Sequence, residues 1–257
     1  MSSAAHSIAG CDPHANPAPM GWVHSYETSA GLDGPGWRFV LFLAGCPLRC
    51  KYCHNPDTWH RKNAKPMPLA SVMERIGRYR MALRRGGITI TGGEPLTQAP
   101  FVAAVARGAK QWGLHVALDT SGALGAWASD ELLADVDLVL LDIKAWNPDT
   151  YRWLTHHELE PTLAFARRLA GLNKSVWLRY VLLPGINDDR TQVEGVAAFA
   201  ASLGNIERVD VLPFHQLGES KWQALGLTYE LAGKQPPTPE QVAEAVGIFQ
   251  AAGLTAY

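Results

Sequence analysis

Six short runs rich in aliphatic residues punctuate the chain: Arg38 to Leu43, Gly87 to Thr91, His115 to Asp119, Asp137 to Asp142, Val176 to Val181 and Arg208 to Leu212. Between them, apolar residues recur at helical spacing around Leu69 to Leu83, Phe101 to Trp112, Thr150 to Gly171 and Gln192 to Leu203. A last helix is expected over Pro239 to Ala252, with Pro236 to Pro239 as the turn that starts it. A strand covered on both faces has no polar side to alternate with, so near-continuous apolar runs imply a parallel sheet under helices. Parallel neighbours also need a crossover long enough to hold a helix. The pattern predicts an α/β fold: a partial (βα)6 TIM-like barrel with parallel strands.

Each strand releases unusual residues at its carboxyl end. Cys46 follows the first, Gly92-Gly93-Glu94-Pro95 follows the second, and Asp119 and Thr120 end the third. Asp142, Ile143 and Lys144 close the fourth, Arg179 lies late in the fifth, and His215 follows the sixth. That rim is where parallel α/β folds bind ligands, so one cavity is expected to gather all six groups. Asp142 and Lys144 straddle Ile143, and a period of two brings both side chains out on one face. Cys46, Cys50 and Cys53 share one loop with three and two residues between them, while Cys11 stands apart. This is not a disulfide framework; it points to a reducing compartment and to metal or cluster binding. A cubane cluster held by only three thiolates keeps one iron open. A closed zinc site completed by His54 or Cys11 is the alternative, with a Cys50 and Cys53 redox pair behind it.

Composition narrows the partners. A formal net charge of -1, from 23 basic and 24 acidic residues, offers no broad field to hold a phosphate backbone, so nucleic acid is not expected. No apolar run approaches the ~18 residues that span a bilayer, so no membrane association is expected. Residues 1–20 have neither the charged nor the apolar region of a secretory signal and read as a mobile extension. Residues 21–257 are expected to form a single domain around one core. A cytoplasmic monomer is the expectation.

The cysteine spacing, with Tyr52 before the last cysteine, resembles the signature of the radical S-adenosylmethionine (SAM) superfamily. From Gly21 to about Tyr257 the chain is similar to the pyruvate formate-lyase activating enzymes, a family that activates glycyl-radical enzymes. The similarity lies in His24-Ser25-Tyr26-Glu27, Asp33-Gly34-Pro35-Gly36, Cys53 through Trp59, Thr91-Gly92-Gly93-Glu94, Leu212 through Gly218 and Lys221-Trp222. The resemblance implies the radical SAM fold and one 4Fe–4S cluster held by Cys46, Cys50 and Cys53. It implies SAM contacts from Tyr52, Cys53, His54, Gly92, Gly93, Glu94, Asp142, Ile143, Lys144, Arg179 and His215. Glu94 is expected to accept from the methionyl amino group, a monovalent cation to sit at Asp119, Thr120 and Asp142, and the partner's peptide to meet Asp33 and Gly34. The implied reaction begins when a flavodoxin or ferredoxin reduces the cluster. SAM is then cleaved to methionine and a 5′-deoxyadenosyl radical, which takes a Cα hydrogen from a glycine of the partner, pyruvate formate-lyase.

Ala30-Gly31-Leu32, Trp37 and His156-His157 depart from the family pattern. These departures leave the SAM chemistry untouched and bear on the partner. The absence of further clustered cysteines argues against activators with a ferredoxin-like insert. The competing readings are a radical SAM enzyme acting on a small molecule and a non-catalytic, zinc-stabilised binding module.

Overall fold

The computed structural model describes residues 19–31 and 33–257; the expected extension up to residue 18, with Cys11 in it, and Leu32 lie outside the described residues. Two strands, β1 (Met20–Ala30) and β2 (Trp37–Leu43), open the described chain, followed by the short β3 (Lys65–Pro68). Then come β4 (Gly87–Gly92), β5 (His115–Thr120), β6 (Leu138–Asp142), β7 (Ser175–Leu182) and β8 (Ile206–Pro213). The eight form one open sheet in the order β3-β1-β2-β4-β5-β6-β7-β8, and β2 and β4 through β8 are parallel. These are the six expected strands, in chain order.

The antiparallel flank of β1 and β3 is an addition to that expectation. β1 mixes Trp22, His24, Ser25, Glu27 and Thr28 with no apolar run, and β3 carries two prolines, which suits an outer edge where one side of the ladder is unpaired. The opposite edge, β8, is also covered: Val209 N–H donates to the Thr255 carbonyl at 2.8 Å and Tyr257 N–H to the Val209 carbonyl at 3.1 Å.

Eight helices accompany the strands among the described residues: α1 (Leu69–Gly77), α2 (Ala99–Gln111), α3 (Asp130–Ala134), α4 (Pro148–Thr155), α5 (Glu160–Gly171), α6 (Arg190–Leu203), α7 (Glu219–Ala224) and α8 (Pro239–Ala251). The helices expected through residues 150–171 are α4 and α5, parted where His156 adopts a left-handed φ of 59° and ends α4. α8 starts on a full capping box between Thr238 and Gln241.

A period of two sorts the strand side chains. Leu41, Leu43, Ile88, Ile90, Val116, Leu118, Val139 and Leu141 face the helices and pack with the α2 stripe of Phe101, Val102, Val105 and Ala109. A second cluster joins Leu178, Tyr180 and Val209 to Val193, Val196 and Phe249. Thr91, Asp119, Asp142 and Arg179 point to the other, inner face, above a small apolar floor of Ala117, Leu138 and Leu140. Among the described residues no helix is long and apolar enough to cross a membrane. Leu118→Ala, at a wholly buried position on a central strand, is expected to cost about 2–5 kcal/mol in urea unfolding with the slope unchanged.

Candidate active site

The residues at the strand ends line one cavity of about 490 Å³. Its first wall is the loop that leaves β2. Gly45, at φ 105°, turns the chain, and the loop is then stitched down by backbone hydrogen bonds. Gly45 N–H and Cys46 N–H donate to the Thr58 and Trp59 carbonyls at 2.7 and 3.1 Å, and Arg49 and Lys51 N–H to the Thr155 and Leu154 carbonyls at 2.8 and 2.9 Å. The Arg49 guanidinium donates back to the Cys46 and Leu48 carbonyls, each at 2.7 Å. On the far side, Trp222 of α7 donates its indole N–H to the Cys53 carbonyl at 2.8 Å, and Lys221 reaches Asn55 Oδ1 at 2.8 Å. The cysteine loop is thus held by backbone and neighbours, leaving its thiols free for a cofactor.

Cys46, Cys50 and Cys53 all line the cavity. Burial pushes all three thiols up, Cys50 to about 12, so binding a metal there must displace protons. Among the described residues, no three His, Cys, Asp or Glu side chains converge on a position for a single metal ion. A tetrahedral zinc site needs such convergence, whereas a cubane presents a different iron to each thiolate. The donor set fits a three-thiolate 4Fe–4S cluster.

Gly92, Gly93 and Glu94 form the second wall. Gly93 N–H donates to the Leu43 carbonyl and Glu94 N–H to the Gly45 carbonyl, both at 2.8 Å, which ties this turn to the cysteine loop. A Cβ on Gly92 would collide with the Leu43 carbonyl, and one on Gly93 would lie 2.6 Å from the Gly45 carbonyl. The glycines therefore permit the approach of two loops, and they line the cavity as well. Glu94 departs from its expected place: it is buried and does not line the cavity. Its Oε1 accepts from Thr120 Oγ1 at 2.7 Å and Leu96 N–H at 3.1 Å, and its Oε2 from Ser121 Oγ at 2.6 Å and Ser121 N–H at 2.9 Å. Burial pushes its carboxyl pKa up against the pull of these donors. Glu94 is a bracket between the β4 and β5 turns.

The third wall is charged. Arg179 pairs with Asp119 at 3.0 Å, and Asp119 also accepts from Thr91 Oγ1 at 2.8 Å. Asp119 raises the Arg179 pKa further, while burial pushes the Asp119 carboxyl up despite Arg179. Lys144 pairs with Asp142 at 3.3 Å and lies 5.5 Å from the centre of the Tyr52 ring. Burial opposes the Lys144 charge, but Asp142 together with Tyr52, Cys50 and Tyr151 outweighs it and holds the ammonium pKa well above the ordinary lysine value. Among the described residues, the buried Tyr52 hydroxyl has no hydrogen-bond partner. Ile143 does not line the cavity; its side chain belongs to the second core cluster, and its N–H donates to the Arg179 carbonyl at 3.2 Å.

His54 and His215 stack at 4.0 Å between ring centres and close the rim. Burial, then the neighbouring His215, lowers the His54 pKa, which favours the neutral ring. Asp33 lines the cavity, whereas Gly34 lies buried behind it at φ 113°. Thr91 and Ser121 also line it, beyond the expected set. Thr91 could have been found from its inward position two residues after Thr89; nothing local marks Ser121.

A model of the radical SAM superfamily matches residues 40–193, from within β2 past Arg179. The fold and the three-thiol cavity thus belong to a known class, the radical SAM proteins. The pyruvate formate-lyase 1-activating enzyme of Escherichia coli K12 is 40% identical over 91% of this chain and 97% of its own length. The pyruvate formate-lyase-activating enzyme of Streptococcus mutans is 41% identical over 88% of this chain and 89% of its own. A crystallised domain of a pyruvate-formate lyase-activating enzyme from Bacteroides vulgatus superposes with a TM-score of 0.55 at 26% identity, over 67% of this chain and 98% of that one. The chain belongs to the family of pyruvate formate-lyase-activating enzymes.

Two outcomes follow from the geometry. Glu94→Gln sets an amide donor among four donors and is expected to lower unfolding stability by about 1–3 kcal/mol in urea titrations of the cluster-free protein. Because its thiol pKa is raised, Cys50 in the folded, cluster-free protein is expected to react with iodoacetamide at pH 8 at least ~100-fold more slowly than in urea, read by peptide mass spectrometry.

Proposed function

We propose that this chain activates a glycyl-radical enzyme, pyruvate formate-lyase, by removing a hydrogen atom from the Cα of one of its glycines. The observation that carries the reading is a cavity wall with three thiols, facing two half-buried ion pairs. Cys46, Cys50 and Cys53 would hold a 4Fe–4S cluster and leave one iron without a protein thiolate. When bound, the cluster and SAM supply one-electron cleavage of the sulfonium and a 5′-deoxyadenosyl radical that takes the glycine hydrogen.

The chain's own residues bind and orient. The bare backbone of Gly92 and Gly93 would receive the methionyl end, with Arg179 and Lys144 offering cationic donors to its carboxylate and Asp142 an acceptor to the ribose. Tyr52, Cys53, His54 and His215 would border the nucleoside. Glu94 and Ile143 act from behind: Glu94 by holding Thr120 and Ser121, Ile143 through its backbone and its packing. Asp119, Thr120 and Asp142 would hold a monovalent cation, which offsets two carboxylates on neighbouring strands. Asp33, in a turn behind which Gly34 is buried, would meet the partner's glycine-bearing segment, and the cavity wall would exclude water and competing hydrogen donors. A flavodoxin or ferredoxin as electron donor, a monomeric state and a cytoplasmic location complete the proposal.

The test incubates anaerobically reconstituted, reduced protein and SAM with pyruvate formate-lyase and records the glycyl signal by electron paramagnetic resonance. A signal that requires SAM and vanishes in Cys46→Ala, Cys50→Ala and Cys53→Ala, but persists in Cys11→Ala, is expected. Full activity in Cys50→Ala would overturn the cluster assignment. SAM cleavage without any glycyl signal would transfer the chain to small-molecule chemistry.

A further inference from the structure

Arg38 is wholly buried near the amino end of β2, and none of the binding roles above uses it. A buried guanidinium is costly unless its donors are satisfied, and each of its nitrogens has a partner. Nε donates to Thr89 Oγ1 at 2.6 Å and Nη1 to the Pro35 carbonyl at 3.0 Å. Nη2 donates to the Ile88 carbonyl and faces Nδ1 and the carbonyl of His115 at 3.2 and 3.4 Å. One side of the guanidinium therefore grips β4 and β5, and the other grips the turn that precedes β2.

Thr89 extends that grip. Its hydroxyl accepts from Arg38 and donates to the Asp33 carbonyl at 2.6 Å. Gly34 lies directly against the arginine: a Cβ on it would stand 3.1 Å from Arg38 Nε. Gly36, at φ 72°, has no room for a Cβ against the Arg85 carbonyl. The path of the turn is thus moulded over Arg38, and its first residue, Asp33, enters the cavity wall. The Asp33 charge acts on both members of the Asp119 and Arg179 pair. Burial lowers the Arg38 pKa to about 10, with Asp33 and Asp137 acting in the opposite direction, so the fork stays charged at neutral pH. A lysine could supply the charge but not the fork.

We infer that Arg38 is a positioning residue for the partner: relayed by Thr89, it fixes the Asp33-Gly34-Pro35-Gly36 turn so that Asp33 meets the glycine-bearing segment in one place. The inference rests on the reading of this turn as the partner contact.

The test uses reconstituted holoenzyme and a synthetic peptide spanning the reactive glycine of pyruvate formate-lyase. It compares Arg38→Met, Thr89→Val and Asp33→Asn with the parent protein for peptide KM, kcat and SAM cleavage without peptide. Arg38→Met and Thr89→Val are each expected to raise the peptide KM about tenfold, the size of one or two lost positioning hydrogen bonds. Their kcat and peptide-free cleavage should stay within about twofold of the parent. Should Arg38→Met fail to fold, Thr89→Val, which removes only the relay, decides. An unchanged peptide KM in both variants would overturn the inference, as would a parallel loss of peptide-free cleavage, which marks a general structural role. Asp33→Asn separates the two levels. If it leaves the peptide KM unmoved, the reading of the turn as partner contact fails and the inference with it. If it raises the KM while Arg38→Met and Thr89→Val do not, the positioning role alone fails.

Discussion

The site depends on how closely two turns approach each other. The turn after β4 donates the Gly93 and Glu94 N–H groups to the Leu43 and Gly45 carbonyls where the chain leaves β2, at a distance that side chains on Gly92 or Gly93 would prevent. That contact seats the thiol-bearing loop over the carboxyl ends of the parallel strands. A displacement of one side chain's width would separate the thiols from the charged strand ends, and positioning errors of that size are what such chemistry tolerates least. The glycines matter for the protein's own packing as much as for any ligand.

Around that contact the structure uses buried polar groups as fasteners. Glu94 gathers four donors from the turns after β4 and β5, and Arg38 spans β4, β5 and the turn before β2. Trp222 and Lys221 fasten the cysteine loop from the side of α7. A group of this kind is costly to bury and costlier to leave half-paired, so a fully satisfied one favours a single arrangement over its neighbours.

The six parallel strands were legible because aliphatic runs such as Leu138 to Leu141 are short and sharply bounded, and the residues at their ends announced the rim. Strand β1 was not legible: its side chains mix polar and apolar without a run, and its pairing with β2 is long-range. The break between α4 and α5 falls on His156, a residue with no local signal for a left-handed turn. Of the candidate site, the cysteines, the two glycines and the charged residues from Asp119 to Arg179 came together as expected. Glu94 and Ile143 did not join the lining, because position at a strand end does not say which neighbour claims a side chain, and Gly34 lies behind Asp33 against Arg38. Arg38 is not marked in the sequence for the same reason, since its partners are carbonyls, a hydroxyl and the His115 ring, which belong to no motif.

The paired charges of the inner face carry a last consequence. Asp119 with Arg179 and Asp142 with Lys144 place two positive and two negative groups on the same wall, so the wall has pattern but little net charge. Such an arrangement exerts little pull beyond a Debye length, and its field varies steeply over the few ångströms within the cavity. It is suited to a zwitterion, whose separated charges can each find an opposite. Discrimination among ligands is therefore deferred until contact.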